Sequence, residues 1–120
     1  MSFHVWQRNE FVQSDISESL TGAFQERRVF VYNVIESLLE AVLAASEPVV
    51  AIISRPEDEA LETLRDLVND GRARVIVTSE PDDREGFSND AFHFLPLPFS
   101  SPMLINAVRS ATSDLPSYRR

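Results

Sequence analysis

Hydrophobic positions along this chain recur with two alternating spacings. Short runs rich in β-branched and aromatic residues predict strands, and apolar residues three and four positions apart predict helices. The predicted strands are Phe3–Trp6, Arg28–Tyr32, Val49–Ile53, Val75–Val77 and Phe92–Leu95. The predicted helices are Asp15–Gln25 with a cap at Ser14 or Asp15, Val34–Ala45, a helix that opens at Pro56 and ends at Gly71, and Pro102–Ala111.

Two of the predicted strands, Val49–Ile53 and Val75–Val77, are apolar at every position. A strand without alternation is buried on both faces, as a central strand of a parallel sheet is. Because parallel strands need crossover connections, helices are expected on both faces of the sheet. The pattern therefore predicts an α/β protein of the flavodoxin-like, doubly wound class, with a five-stranded parallel sheet in the order 2-1-3-4-5. In such sheets function is sought at the carboxyl ends of the strands.

Length and composition narrow the class of protein. At 120 residues the chain is expected to form one domain, assigned to residues 1–114, with a short tail at 115–120. The net charge of −8, with 19 acidic residues against 11 basic ones that are all arginine, disfavours direct nucleic-acid binding. No apolar run is long enough to span a membrane, and a cytoplasmic protein is expected. Cysteine is absent and the two histidines stand far apart, so neither a metal site nor a cofactor is predicted.

The segment Phe92–Phe99 reads Phe-His-Phe-Leu-Pro-Leu-Pro-Phe and precedes the last predicted helix. It resembles the last strand of a response-regulator receiver domain, where a Lys-Pro pair precedes the final helix. The resemblance extends over nearly the whole chain. It implies a signalling domain whose working members hold Mg²⁺ with an acidic pair after the first strand and form an aspartyl phosphate after the third. It also implies a hydroxyl after the fourth strand, and an aromatic residue and a lysine on the fifth.

Under this resemblance four positions lack the group that phosphorylation needs. The acidic pair falls on Gln7 and Arg8, and the phospho-accepting aspartate falls on Ser54. The lysine position falls on Leu97, and the chain has no lysine anywhere. Arginine repels Mg²⁺, serine lacks the carboxylate of an acyl phosphate, and leucine offers no charge to a phosphoryl group. The resemblance therefore implies a degenerate receiver, or pseudo-receiver, without enzymatic activity.

Three other positions agree with the receiver pattern. Ser79 falls at the hydroxyl position, Phe94 at the aromatic position and Pro98 at the proline position. Because the corresponding bond is cis in the family, the Leu97–Pro98 bond is a candidate for a cis peptide. The segment between Ser79 and Leu97 is shorter than in most receivers, so the fourth helix is expected to be short or missing.

These residues also have simpler interpretations. Ser54 and Ser79 are small polar residues at strand ends, where they would hydrogen-bond to nearby backbone. Phe94 would be a core or edge aromatic residue. Arg8 either forms an ion pair with a neighbouring acid, namely Glu10, Glu57 or Asp58, or fills the emptied metal pocket and locks one conformation.

The leading hypothesis is a pseudo-receiver that cannot be phosphorylated and acts by protein–protein contact, either with a signalling protein or as a homodimer. In receivers the surface of the fourth helix, fifth strand and fifth helix commonly makes such contacts. The chain places an apolar cluster near this edge, and an apolar edge is typical of an interaction surface. The predicted surface comprises Phe92, Phe94, Phe99, Ser101, Met103 and Arg109.

Two alternatives remain open from the sequence. One is an enzyme or a small-molecule binder that holds an anionic ligand at the strand ends with Arg8, Ser54 and Ser79. The other is a structural or assembly subunit whose fold only resembles that of receivers. A bound anion at the strand ends would favour the first, and an edge closed by Leu97 and Arg8 would count against it.

Overall fold

The computed structural model describes residues 1–79 and 91–113 of the chain. Strands and helices alternate through these residues, as the sequence pattern predicts. The strands are β1 (Ser2–Trp6), β2 (Val29–Val31), β3 (Val49–Ser54), β4 (Ala73–Ser79) and β5 (Phe92–Pro96). The helices are α1 (Glu10–Ala23), α2 (Ile35–Ala44), α3 (Asp58–Asn69) and α4 (Ser101–Thr112).

The five strands form one sheet in the order β2-β1-β3-β4-β5, and every neighbouring pair is parallel. The predicted order 2-1-3-4-5 and the flavodoxin-like class are therefore confirmed. Strands β3 and β4 lie inside the sheet, and nearly all of their side chains are buried. The order reverses between β1 and β3, which places a crevice at the carboxyl ends of these two strands.

The sheet separates two hydrophobic cores. On one face, α2 and α3 pack through Leu38, Leu61 and Leu64 against Ala51 and other β3 and β4 side chains. On the other face, α1 and α4 pack through a second set of apolar residues. That set includes Ile16, Leu20, Leu104 and Val108 against Val5, Ile52 and Ile76. Each helix therefore buries one stripe of apolar side chains, and the sheet is covered on both faces.

Helix α1 begins five residues earlier than the sequence pattern predicts, so the predicted start at Asp15 is wrong. Asn9 caps the helix, and its side-chain oxygen accepts hydrogen bonds from the backbone N–H groups of Phe11 and Val12 at 2.8 and 3.3 Å. Asparagine is a preferred cap because it satisfies amides that have no partner within the helix. Phe11 hides this start in the sequence, since it is apolar but 83% exposed.

For helix α3, the predicted end agrees with the structure more closely than the predicted start does. It begins at Asp58 after the cap residue Glu57, so Pro56 lies just outside it. Gly71 follows the last turn with a φ angle of 76°, a conformation that favours glycine. The backbone N–H of Gly71 donates to the carbonyl of Val68 and that of Arg72 to the carbonyl of Leu67. This pair of bonds is the Schellman arrangement that ends many helices.

Two predictions fall outside the described residues. The segment predicted to hold a short fourth helix or a loop is residues 80–90, and the predicted tail is residues 115–120. Within the described ranges, none of the helices has the length and hydropathy needed to span a bilayer.

Candidate functional site

Three polar side chains meet at the carboxyl edge of the sheet. Gln7 follows β1, Ser54 ends β3, and Thr78 lies opposite Ser54 in the register of β4. The hydroxyls of Ser54 and Thr78 both donate to Oε1 of Gln7, at 3.0 and 2.8 Å. The Gln7 carbonyl therefore holds the ends of three strands together. Two of the predicted site residues, Gln7 and Ser54, are in direct contact.

The amide nitrogen of Gln7 has no such partner. The Gln7 side chain is buried, with 6% of the residue exposed, and its Nε2 has no hydrogen-bond acceptor among the described residues. Its two N–H donors are thus kept from water while the carbonyl of the same amide accepts two hydrogen bonds. A buried unsatisfied donor costs free energy, so it calls for an explanation such as a bound water or ion.

Arg8 does not make the predicted ion pair with Glu10, Glu57 or Asp58. Within residues 1–79 and 91–113, the ion pair that forms joins the amino group of Met1 to Glu47. Arg8 instead donates from Nη2 to the backbone carbonyl of Arg55 at 2.7 Å. Its guanidinium carbon also lies 5.0 Å from the centre of the Trp6 ring, a cation–π contact.

The backbone of Arg8 is fixed as well, because its N–H donates to the Ser54 hydroxyl at 3.0 Å. Ser54 Oγ therefore links the segment after β1 to the end of β3. Ser54 hydrogen-bonds to backbone, but its partner is Arg8, 46 residues away in sequence, and it contacts Gln7 as well.

The hydroxyl beside Gln7 belongs to Thr78, so the assignment of this position to Ser79 is wrong. Thr78 pairs with Ser54 in the sheet, and its side chain lies on the same face as that of Gln7. Successive residues of a strand point to opposite faces, so Ser79 points away from them. The Ser79 hydroxyl is buried and has no hydrogen-bond partner among the described residues. Counting the alternation from Ile76 would have placed Thr78 on the correct face.

The other predicted pocket residues divide between the two faces. Leu97 lies beside Gln7 and Ser54, and its backbone N–H donates to the carbonyl of Ser79 at 2.9 Å. The Leu97–Pro98 peptide bond is cis, as the resemblance suggested. Phe94 packs half-buried against the core under α2 and α3, on the opposite face of the sheet.

A cavity of about 300 Å³, called here the strand-end cavity, opens among these strand ends. It is lined by Gln7, Arg8, Asn9, Val12, Ser54, Arg55, Thr78 and Leu97. Among the described residues that line it, two are arginines and none is acidic. Mg²⁺ prefers carboxylate and other oxygen ligands, so this set does not fit the metal that working receivers use.

A second cavity of about 420 Å³ adjoins the first across Arg8. It lies between the starts of α2 and α3, with Trp6, Val34 and Leu39 among its apolar residues. Exposed glutamates stand on its rim, where acidic residues also complement the N-terminal helix dipoles. The helix dipoles are a sufficient reason for these acids.

A further polar cluster is centred on His4, in the middle of β1 beside β2, and sequence reasoning missed it. His4 is buried, its Nδ1 lies 2.7 Å from the hydroxyl of Tyr32, and its Nε2 lies 2.8 Å from the hydroxyl of Ser2. The ring also stacks on Phe30 and Tyr32. Burial lowers the pKa of His4 below its ordinary value and raises that of Tyr32. Only the pairing of β1 with β2 could have revealed that these distant residues meet.

The predicted interaction surface is not one continuous apolar patch. Phe92 is 5% exposed and belongs to the core under α2 and α3, so its assignment to the surface is wrong. Phe99 is half-buried against the opposite core. Ser101, Met103 and Arg109 are exposed, and the Ser101 hydroxyl is hydrogen-bonded to that of Ser19 on α1. Met103, which is 39% exposed, is the apolar residue of the set that solvent reaches most.

Comparison with solved structures agrees with this topology. The chain is similar to a response regulator receiver protein from Dyadobacter fermentans, with a TM-score of 0.72 and 16% identity over 92% of this chain and 97% of that one. It is similar to another such protein from Sinorhizobium medicae, with a TM-score of 0.71 and 19% identity over 95% of each chain. The fold is receiver-like. Identities this low show the fold alone.

A third similar structure is an uncharacterized protein from Neptuniibacter caesariensis, with a TM-score of 0.74 and 12% identity over 93% of this chain and 87% of that one. No protein-family model and no curated protein sequence matches the chain.

Proposed function

We propose that this chain is a receiver-like signalling domain that works by contact with a protein partner and does not transfer a phosphoryl group. The receiver-like fold supports a signalling role. The contact of Gln7 with Ser54 and Thr78 supports the proposed absence of phosphoryl transfer. Under the receiver resemblance, an uncharged hydrogen-bonded cluster stands where a working receiver has its metal-binding acids and its phospho-acceptor.

The physical reason is the absence of the required charges. An acyl phosphate needs a carboxylate nucleophile, and the developing charge needs a cation held by acids. Ser54 supplies a hydroxyl that is already engaged by Gln7 and by the Arg8 backbone. The Arg8 guanidinium lies beside the same strand ends, so it raises the electrostatic cost of binding Mg²⁺ there.

Incubation with acetyl phosphate and Mg²⁺ tests this part of the proposal. The intact mass of the protein should not change, while a working receiver domain treated in parallel should gain one phosphoryl group. A stoichiometric adduct that hydroxylamine removes would overturn the proposal.

We place the proposed contact with a protein partner at the edge formed by β5 and α4. Phe94 is half-buried on β5, and Met103 and Arg109 are exposed on α4. An exposed methionine near an edge strand adapts readily to a partner surface. The partner is a signalling protein or a second copy of the chain.

Substitution Met103→Glu, with Ser110→Glu on the same helix as the matched control, tests this surface. Both positions are exposed, so the free energy of unfolding of each variant should lie within about 0.5 kcal/mol of that of the original protein. Met103→Glu should abolish self-association in sedimentation, or capture of a partner identified by mass spectrometry, and Ser110→Glu should preserve it. A protein that stays monomeric at high concentration and captures no partner would remove the support for this surface.

A further inference from the structure

The strand-end cavity differs in charge from the rest of the chain. The protein carries a net charge of −8, yet the described residues that line this cavity include Arg8 and Arg55 and no acidic residue. A cleft lined by one sign of charge concentrates ions of the opposite sign. Its volume of about 300 Å³ is at the low end for ligand pockets, which suits a small ligand.

Gln7 provides a second and independent observation. Its residue is buried, it lines the cavity, and its Nε2 lacks an acceptor among the described residues. The Ser54 and Thr78 hydroxyls both donate to Oε1, so neither of them supplies that acceptor. An oxyanion has several acceptor oxygens and would satisfy these N–H groups once the Gln7 side chain, whose Nε2 is closed to solvent in the free protein, turns toward the cavity.

Arg8 is held in a defined position at the same place. The carbonyl of Arg55 accepts from its Nη2, and the ring of Trp6 supports the guanidinium face. A guanidinium has five N–H donors in a rigid plane, so this contact leaves donors on its other nitrogens. Planar arginine donors match the oxygens of phosphate and carboxylate groups.

We propose that the strand-end cavity binds a small oxyanion noncovalently. The donors are Nε2 of Gln7 and the guanidinium of Arg8. No covalent bond forms, and no metal takes part. This site goes beyond the proposed interaction role, which would stand without it, because the lack of phosphoryl transfer rests on the missing carboxylates.

Titration with inorganic phosphate tests the site, with sodium chloride at matched ionic strength to remove general screening. The protein has a single tryptophan, Trp6, so its fluorescence reports on the neighbouring Arg8. Amide NMR signals of Gln7, including its side chain, should move in a saturable way with phosphate and not with chloride. A parallel titration with acetate distinguishes a tetrahedral phosphate from a planar carboxylate as the preferred group.

Arg8→Gln and Arg65→Gln remove the same formal charge at different places. Arg65 is an exposed residue of α3 and does not line the cavity. Arg8→Gln should weaken phosphate binding by about tenfold or more, as expected for the loss of a charge-assisted hydrogen bond, and Arg65→Gln should leave it unchanged. Circular dichroism should confirm that both variants are folded.

Gln7→Glu tests the amide without changing its shape. The two carboxylate oxygens can still accept from Ser54 and Thr78, but the N–H donors are lost and a negative charge is gained. Phosphate binding should disappear. The proposal is overturned if millimolar phosphate gives no saturable change, if Arg65→Gln weakens binding as much as Arg8→Gln, or if Gln7→Glu binds phosphate as well as the original chain.

Discussion

Strand β1 is associated with two buried polar clusters, which differ in how many of their polar groups are hydrogen-bonded. In the middle of the strand, both ring nitrogens of His4 have hydrogen-bond partners, the hydroxyls of Ser2 and Tyr32. Just beyond its carboxyl end, Gln7 has partners for its carbonyl and none for its amide nitrogen among the described residues. A satisfied buried group needs no explanation beyond folding. An unsatisfied one points to something that the folded chain alone does not supply.

The cluster around His4 is stabilised by packing and by hydrogen bonds. The His4 ring is stacked on the rings of Phe30 and Tyr32, with 5.2 and 5.7 Å between the ring centroids. Aromatic packing and two hydrogen bonds compensate the burial of the imidazole. Ser2, His4 and Tyr32 also tie β1 to the edge strand β2, which has three residues. This cluster therefore stabilises the pairing of β1 with this short edge strand.

Replacing His4 with alanine should produce the largest effect of the changes considered. The variant leaves the Tyr32 hydroxyl without its partner and opens a cavity beneath Phe30. The free energy of unfolding should fall by roughly 2–4 kcal/mol, measured by chemical denaturation. Arg65→Ala is the control, since Arg65 is exposed on α3 and its loss should cost about 0.5 kcal/mol or less. Equal losses in the two variants would mean that the cluster has no special role.

The contrast also shows which features the sequence could predict. Val49–Ile53 and Val75–Val77 revealed their central places because an unbroken apolar run has one physical explanation in a parallel sheet. Gln7 and Ser54 were found because the receiver resemblance assigns its acidic pair and its phospho-acceptor to the ends of the first and third strands. The strands needed only local pattern and topology, and the site residues needed the resemblance as well.

The missed features depend on exact register or on a single side chain. His4 and Tyr32 meet because β1 pairs with β2 in one register, which short strands do not specify. Choosing Thr78 over Ser79 required knowing which face each one occupies. The cap at Asn9 was hidden because the exposed Phe11 interrupts the amphipathic pattern.

The pH dependence of stability provides a second test of the complete cluster. Burial lowers the pKa of His4 in the folded protein below its ordinary value of 6.5. Below about pH 6.5 the unfolded chain therefore binds a proton more readily than the folded chain does. The stability contributed by neutral His4 should be present above this pH and should be lost as the pH falls from about 6.5 through the lower folded pKa.

Denaturation of the original chain and of His4→Ala across this pH range isolates the contribution. The difference in unfolding free energy between the two proteins should shrink as the pH falls, because the variant lacks the titrating ring. Carboxylates titrate in both proteins and cancel in the difference. A difference that grows on acidification would show that the protonated ring is stabilised in the folded state, contrary to the effect of burial.

Gln7→Met should have the smallest effect, and it compares the incomplete cluster directly with the complete one. The methionine has a similar shape and removes the buried N–H groups that lack a partner. Ser54 still accepts from the Arg8 backbone N–H, and Thr78 still lies 3.3 Å from the carbonyl of Ile53. In phosphate-free buffer the free energy of unfolding should therefore change by about 1 kcal/mol or less.

Gln13→Met is the matched control for that substitution. The side-chain carbonyl of Gln13 accepts from the backbone N–H of Gln7 at 3.0 Å, so this change leaves a backbone donor without its partner. This substitution should lower the free energy of unfolding by about 1–3 kcal/mol, more than the change at Gln7. A buried donor that loses its partner is costly, whereas an apolar side chain in place of a half-satisfied amide is not. If Gln7→Met instead loses as much stability as His4→Ala, the Gln7 amide is satisfied within the folded protein, by bound water for example. Both clusters would then be fully hydrogen-bonded, and the case for a ligand at the strand ends would rest on Arg8 alone.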